Sequence, residues 1–439
     1  MFGSAEGHDE ERLVRIDNLT GRAHPPDPVI PAWKAGGVLG PYAEVLRPPG
    51  AVAFSASGLV ARLPMSMLGI SIVLAVSAQS RSYGRAGLVA AAALLAQAAA
   101  APTQARLADR FGQGRMLRPV LAVHGLSLAA FIVVLDTGPL PVLLPTAAIA
   151  GATLPSFGAM VRARWARLYT GSPLLHPAYA LESVLDEVVF VVGPVVATVL
   201  ATGVHPASGL LVTLGLTVGG GLVFAAQRAT EPLPRPHARH VAAGRLPIWT
   251  LAWIVLTFTF MGGIFGSVEV VTVAFTDAAG VITAAGPLLA IYALGSLVSG
   301  LVVGAMHMRT GPRRRFMLGQ AMMAATLLPL PLVGPVAVLA IVLFIAGLAI
   351  SPTLIAGFSL VEAVVPASRL TEGFAWISTA LNVGVSAGAA LSGRIVDGFG
   401  ATSAYLTAVA FGLSAAVTCV AGAMMDRSRH NAVQQSVPQ

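Results

Sequence analysis

The stretch Gln104-Ala105-Arg106-Leu107-Ala108-Asp109-Arg110-Phe111-Gly112-Gln113-Gly114-Arg115 stands between two long apolar runs and reads as a short charged turn. Its core, Asp109-Arg110-x-Gly112-x-x-Arg115, returns in weaker form as Gly304-Ala305-Met306-His307-Met308-Arg309-Thr310-Gly311-Pro312-Arg313-Arg314. The two copies occupy corresponding places in two hydrophobic halves. Internal duplication of a helical, apolar chain is a mark of secondary transporters.

Composition supports a chain dissolved in lipid. Hydrophobic residues make up 56% of the 439 and charged residues only 10%, against about 25% charged in an ordinary soluble domain. A buried core does not account for that deficit over this length. The formal charge of +8 rests almost wholly on arginine, because Lys34 is the only lysine. Arginines scattered through short loops fit the positive-inside pattern and exclude the contiguous basic face that nucleic acid requires. The one cysteine, Cys419, rules out an intramolecular disulfide and a Cys-built metal site. No Gly-x-x-x-x-Gly-Lys-Ser/Thr turn is present, and no His pair has metal-ligand spacing within a span. We therefore expect no enzyme activity, cofactor or metal.

Residues 1–50 are rich in proline, glycine and charge and read as a disordered cytoplasmic arm. Twelve apolar stretches follow, each near the ~20 residues a spanning helix needs. They lie near 51–79, 85–106, 116–136, 139–162, 178–202, 206–227, 247–275, 281–305, 315–333, 335–360, 373–395 and 402–425. The expected architecture is an all-α integral membrane protein with two pseudo-symmetric six-helix bundles, residues 51–227 and 247–425. A proline-bearing cytoplasmic linker, residues 228–246, joins them, and residues 426–439 form a tail. Loop arginines alternate in abundance, with Arg162, Arg164 and Arg167 counted in one basic loop. The asymmetry predicts cytoplasmic termini, although Arg81 and Arg85 run against it. Further echoes, Ala150-Gly151 with Ala346-Gly347 and Leu181-Glu182 with Thr371-Glu372, recur at a similar offset.

These residues carry a resemblance. The segment from Ala105 resembles the loop signature of the major facilitator superfamily, Gly-x-x-x-Asp-Arg-x-Gly-x-Arg-Arg, between its second and third helices. The resemblance covers about residues 51–425 and implies a twelve-helix fold with halves that rock about a central cavity. It also implies a gating latch built from Asp109, Arg110, Gly112 and Arg115, with Asp109 facing residues 368–372. Arg309, Gly311 and Arg313 would form the second copy. Ala105 replaces the leading glycine, and Met308 stands where the second aspartate belongs. Gly193-Pro194 resembles the Gly-Pro of an element found in exporter branches and predicts a helix kink. Val189, Ala197 and Thr198 replace other glycines of that element. The span-four arginine of many proton-coupled exporters is absent, since Thr146-Ala147-Ala148-Ile149-Ala150 precedes Gly151.

Charges inside spans are costly and mark function. Arg62 falls roughly 16 Å into span one and Asp186 roughly 12 Å into span five, from the same side. Glu182 and Asp186 are four apart and share a helix face; Glu187 points elsewhere. Arg62 pairs with either Asp186 or Glu187 on this reading. Glu269, late in span seven, has no nearby counter-charge and suits a proton carrier. Met65, Phe157, Met261 and Phe265 are expected to line the cavity. Its apolar character favours proton-coupled export of small hydrophobic or amphipathic molecules by a monomer in the plasma membrane. Metabolite uptake by the same fold, or a scaffold or sensor that has lost transport, are the alternative expectations.

Overall fold

The computed structural model describes residues 40–170, 172, 174–234, 247–305, 310–366 and 370–435. Most of the expected arm, most of the linker, Arg309 and positions 367–369 lie outside the described residues. The short helix α1 (Gly40–Val45) belongs to an N-terminal unit that ends at Pro48; a second unit begins at Pro49.

In that second unit apolar runs become helices, because helices satisfy their own backbone in lipid. The first six spans are α2 (Ala51–Ser80), α3 (Tyr83–Phe111), α4 (Gln113–Val134), α5 (Leu140–Ala152) continued by α6 (Phe157–Leu168), α7 (Leu175–Gly203) and α8 (Ser208–Ala226). The next six are α9 (Ile248–Ala278), α10 (Ala285–Ala305), α11 (Pro312–Leu327), α12 (Val336–Gly347) continued by α13 (Ile350–Val364), α14 (Leu370–Phe399) and α15 (Ala401–Gln435). Ten of these spans are long and apolar enough to cross a membrane by length and hydropathy alone. The other two, α11 and α14, stand at the ninth and eleventh places. Helix α11 has only 16 residues before a 3-10 turn at Leu330–Leu332 extends it. Helix α14 is 30 residues long. No strand occurs among the described residues.

Duplication shows in the packing. Helix α2 packs on α7 and α8, as α9 packs on α14 and α15. Helix α3 lies against α5 as α10 lies against α12, and α4 against α8 as α11 against α15. The fourth span of each half is broken in the same place, just past Gly151 and Gly347. Both glycines press on backbone of the second span: a Cβ on Gly151 would lie 2.7 Å from Ala93 Cα, and one on Gly347 3.2 Å from Gly295 Cα. Between the halves, α3 packs along α14 and α7 along α10, with a narrower contact of α2 with α9. The end of the bundle where α2 starts is the near end, and the opposite end, where α15 starts, is the far end.

Several sequence expectations need correction. The charged stretch 104–115 is not a loop. Helix α3 runs through Asp109 and Arg110 to Phe111, α4 starts at Gln113, and Gly112 alone joins them at φ 92° and ψ 151°. Arg162 and Arg164 are not loop charges either; both lie in α6, inside span four. The expected arm contains a helical segment, α1, and the expected tail is still α15 as far as Gln435.

Candidate functional site at the junction of the halves

Arg62 is the centre of a charge cluster in the near half of the N-terminal bundle. Its side chain is 1% exposed. One terminal nitrogen pairs with Glu182, the other donates to Asp186 Oδ1 at 2.7 Å, and Nε reaches the Gly58 carbonyl at 3.3 Å. Glu182 Oε1 also accepts from Ser55 Oγ at 3.0 Å and Trp165 Nε1 at 2.8 Å. Asp186 uses its second oxygen on Arg162 Nη2, 2.6 Å away. Helices α2, α6 and α7 thus meet through two arginines and two carboxylates, which is neutral overall. The arrangement lowers the cost of holding these charges away from water. Glu187 takes no part in it. Sequence reasoning missed Arg162 and Trp165, because residues at the end of an apolar run look like loop residues.

Glu269 is half-buried on α9. No hydrogen bond or ion pair reaches it among the described residues. It faces α2 of the other half: a Cβ on Gly69 would sit 2.8 Å from Glu269 Oε1. Met65 lies one turn from Gly69, towards the near end and on the same helix face. It is 42% exposed, although α2 is mostly buried. Helices α2 and α9 thus approach each other at Gly69 and Glu269, and Met65, one turn closer to the near end, is left exposed. Phe265, one turn before Glu269, is half-buried beside it. Phe157 and Met261 do not line this gap. Phe157 turns into the N-terminal half and meets the Phe224 ring edge-on at 5.9 Å, because the break before α6 redirects it. Met261 is fully buried, and its sulfur lies 3.7 Å from Gln320 Nε2 on α11.

Gly193 and Pro194 lie within a continuous α7. Next to Gly193, Ser66 Oγ donates to the Val189 carbonyl at 2.7 Å and ties α2 to α7. Pro194 contributes to the contact between halves, since a Cβ on Gly286 of α10 would be 2.5 Å from its carbonyl oxygen. The glycines of α14 at 384 and 388 pack on Gly263 of α9, inside their own half.

The latch residues divide. Asp109, Arg110 and Arg115 are exposed at the near end, and the Arg110 guanidinium lies 5.0 Å from the Phe111 ring centre. Gly112 and Gly114 hold a carboxylate that the sequence reading overlooked: Glu231 Oε1 accepts from the Gly114 N–H at 2.9 Å, at the positive start of α4. Beside it Arg164, fully buried, caps the end of α8 through the Phe224 and Gln227 carbonyls, each 3.0 Å away. The same side chain bonds Gln113 Oε1 at 2.9 Å and Thr230 Oγ1 at 3.0 Å. In the second copy, Gly311 precedes α11, and Arg313 bonds the Ala423 carbonyl and lies 3.6 Å from Asp426. Arg313 thus ties α11 to α15 within one half rather than latching the two halves.

Comparison with protein-family models matches residues 276–439 to the Major Facilitator Superfamily. Solved structures extend the likeness over most of the chain. The human organic anion transporter MFSD10 (TETRAN) is 15% identical with TM-score 0.62, covering 85% of this chain and all of that one. The nucleoside transporter NupG is 13% identical with TM-score 0.65, covering 85% and 98%. The POT family transporter PepTSo is 10% identical with TM-score 0.64, covering 86% and 97%. Residues 276–439 thus match the Major Facilitator Superfamily by sequence, and the chain as a whole has the fold of these transporters. No curated protein matches it by sequence. The transporter is a multi-pass membrane protein rather than an enzyme, and the gap between α2 and α9 lies where its two halves meet.

Proposed function

We propose that the transporter exports small hydrophobic or amphipathic organic molecules in exchange for protons, by alternating access. The observation that carries this reading is Glu269, a carboxylate without a partner among the described residues, where α9 approaches Gly69 of α2. A group there, facing the gap and free of counter-charge, takes and releases a proton as the gap opens to either side. The neighbouring Met65 and Phe265 offer apolar contact, with few groups to pair a sugar or another polyhydroxylated solute. The cluster of Arg62, Glu182, Asp186 and Arg162 stiffens the N-terminal body and keeps its charges balanced while Glu269 titrates. In this reading residues 51–227 and 247–425 are the two moving bodies, and the protein works as a monomer. Both termini lie in the cytoplasm of a plasma-membrane protein, so the near end faces the cytoplasm.

A panel of labelled lipophilic amines, neutral aromatics, nucleosides and peptides tested on the purified protein in liposomes decides the matter. Under an imposed proton gradient, movement of a hydrophobic member is expected to rise severalfold over the gradient-free rate. In Glu269→Gln the gradient is expected to have no effect on net transport, while exchange of the same compound persists. Gradient-driven accumulation of a nucleoside or peptide in the proton's own direction would instead identify an uptake system. Full proton dependence in Glu269→Gln would remove the carboxylate from coupling.

A further inference from the structure

The heptapeptide Arg106-Leu107-Ala108-Asp109-Arg110-Phe111-Gly112, which ends α3 at the near end, has a counterpart at the far end. It is Arg394-Ile395-Val396-Asp397-Gly398-Phe399-Gly400, which ends α14. Arginine, aspartate, phenylalanine and glycine recur at the same spacing. Both closing glycines are left-handed, Gly112 at φ 92° and Gly400 at φ 82°. Each aspartate stands two residues before its helix ends. The two helices are packed side by side and run in opposite directions, so Asp397, at the end of α14, lies beside the start of α3. Nested three-helix repeats of inverted orientation, as transporter folds contain, produce this placement.

At the far end the contact is made. Asp397 Oδ2 accepts from Ser82 Oγ at 2.6 Å and from the Gly84 N–H at 2.9 Å, and Oδ1 accepts from the Tyr83 N–H at 2.8 Å. The Tyr83 and Gly84 N–H groups are unpaired donors of the first turn of α3, where a carboxylate is favoured by hydrogen bonding and by the helix dipole. Gly84 leaves room for it, since a Cβ there would be 2.8 Å from Asp397 Oδ2. Tyr83 also donates its hydroxyl to Asp277 Oδ2 on α9 at 2.9 Å. At the near end the twin, Asp109, is exposed, and no hydrogen bond or ion pair reaches it among the described residues.

We propose that Asp397 is the far-side latch of the transport cycle, capping α3 when the far end is closed and releasing it when Asp109 closes the near end. This rests on the alternating-access reading of the chain. Exactly one aspartate of the pair engages at a time, so weakening either one moves the population towards the opposite closure.

Spin-label distances in the full-length protein test it on a Cys419→Ser background, without substrate. One label pair, Thr137→Cys with Ala279→Cys, reports the far end. Another, Thr170→Cys with Thr310→Cys, reports the near end. Asp397→Ala is expected to shift the far-end distribution to longer distances and the near-end distribution to shorter ones. Asp109→Ala is expected to shift the population in the opposite sense. Unchanged distributions in Asp397→Ala, or a longer far-end distance without near-end shortening, would overturn the latch. If Asp397→Ala does not fold, Asp397→Asn, which removes the charge that faces the start of α3, must produce the same paired shift, and no shift there overturns the proposal equally. Reciprocal shifts in a protein that moves no solute would keep the latch and refute transport. Gradient-driven transport without them would do the reverse.

Discussion

Arg62 is itself buried and has three acceptors for its guanidinium, of which Glu182 is buried and Asp186 partly so. Removing one side of a buried pair strands the other, which costs about 3–5 kcal/mol. Arg62→Ala is therefore expected to lower the melting temperature in detergent strongly. Arg62→Ala with Glu182→Gln is expected to recover part of the loss, because no buried carboxylate then lacks its cation. A double variant less stable than Arg62→Ala alone would contradict the pairing. The intramembrane position of Arg62 and its depth relative to Asp186 were legible in the sequence, from helical rise alone. Three things were not. Glu182 was placed on the correct helix face, but its depth did not single it out as a partner. Arg162 and Arg164 appeared to be loop residues, since a charge at the end of an apolar run looks solvated until helix ends and carboxylates are placed around it. The exclusion of Phe157 depended on the break before α6, which a hydropathy profile does not locate.

At the scale of elements, the joint between α3 and α4 is the shortest one available. Gly112 occupies a backbone region that is essentially restricted to glycine, where another residue costs about 1–3 kcal/mol. A Cβ there would also lie 2.6 Å from Glu231 Oε1. Gly112→Ala is expected to destabilise the protein by about that amount in a thermal-shift assay. Glu231→Ala is expected to cost less, about 0.5–2 kcal/mol, the range for a lost helix cap. A neutral Gly112→Ala would mean that the joint relaxes by another route. The charged motif was visible in the sequence, but the joint was read as a turn of many residues. Helices in this protein run on past the apolar stretches, so hydropathy marks the lipid-facing part and not the helix ends.

At the scale of the whole molecule, twelve apolar stretches and a duplicated basic motif were enough to anticipate two six-helix bundles. Corresponding helix pairs pack alike in both halves, and the broken fourth spans coincide with the Ala150-Gly151 and Ala346-Gly347 echoes. The state of the gap between the halves was not legible, since it depends on contacts between helices distant in sequence: Gly69 with Glu269, and Asp397 with the start of α3. The structure has its far end joined through Asp397, and Met65 is exposed on the near side of Gly69. An alternating cycle requires the same gap to open to the other side, and never to both at once. The most direct test is the sidedness of a single cysteine at Met65→Cys, on the Cys419→Ser background, in sealed oriented vesicles with a membrane-impermeant maleimide. The account predicts fast labelling from the near side in the resting protein. It predicts that Asp397→Ala slows near-side labelling and speeds far-side labelling together. Fast labelling from both sides in the resting protein, or from neither side in any variant, would contradict it.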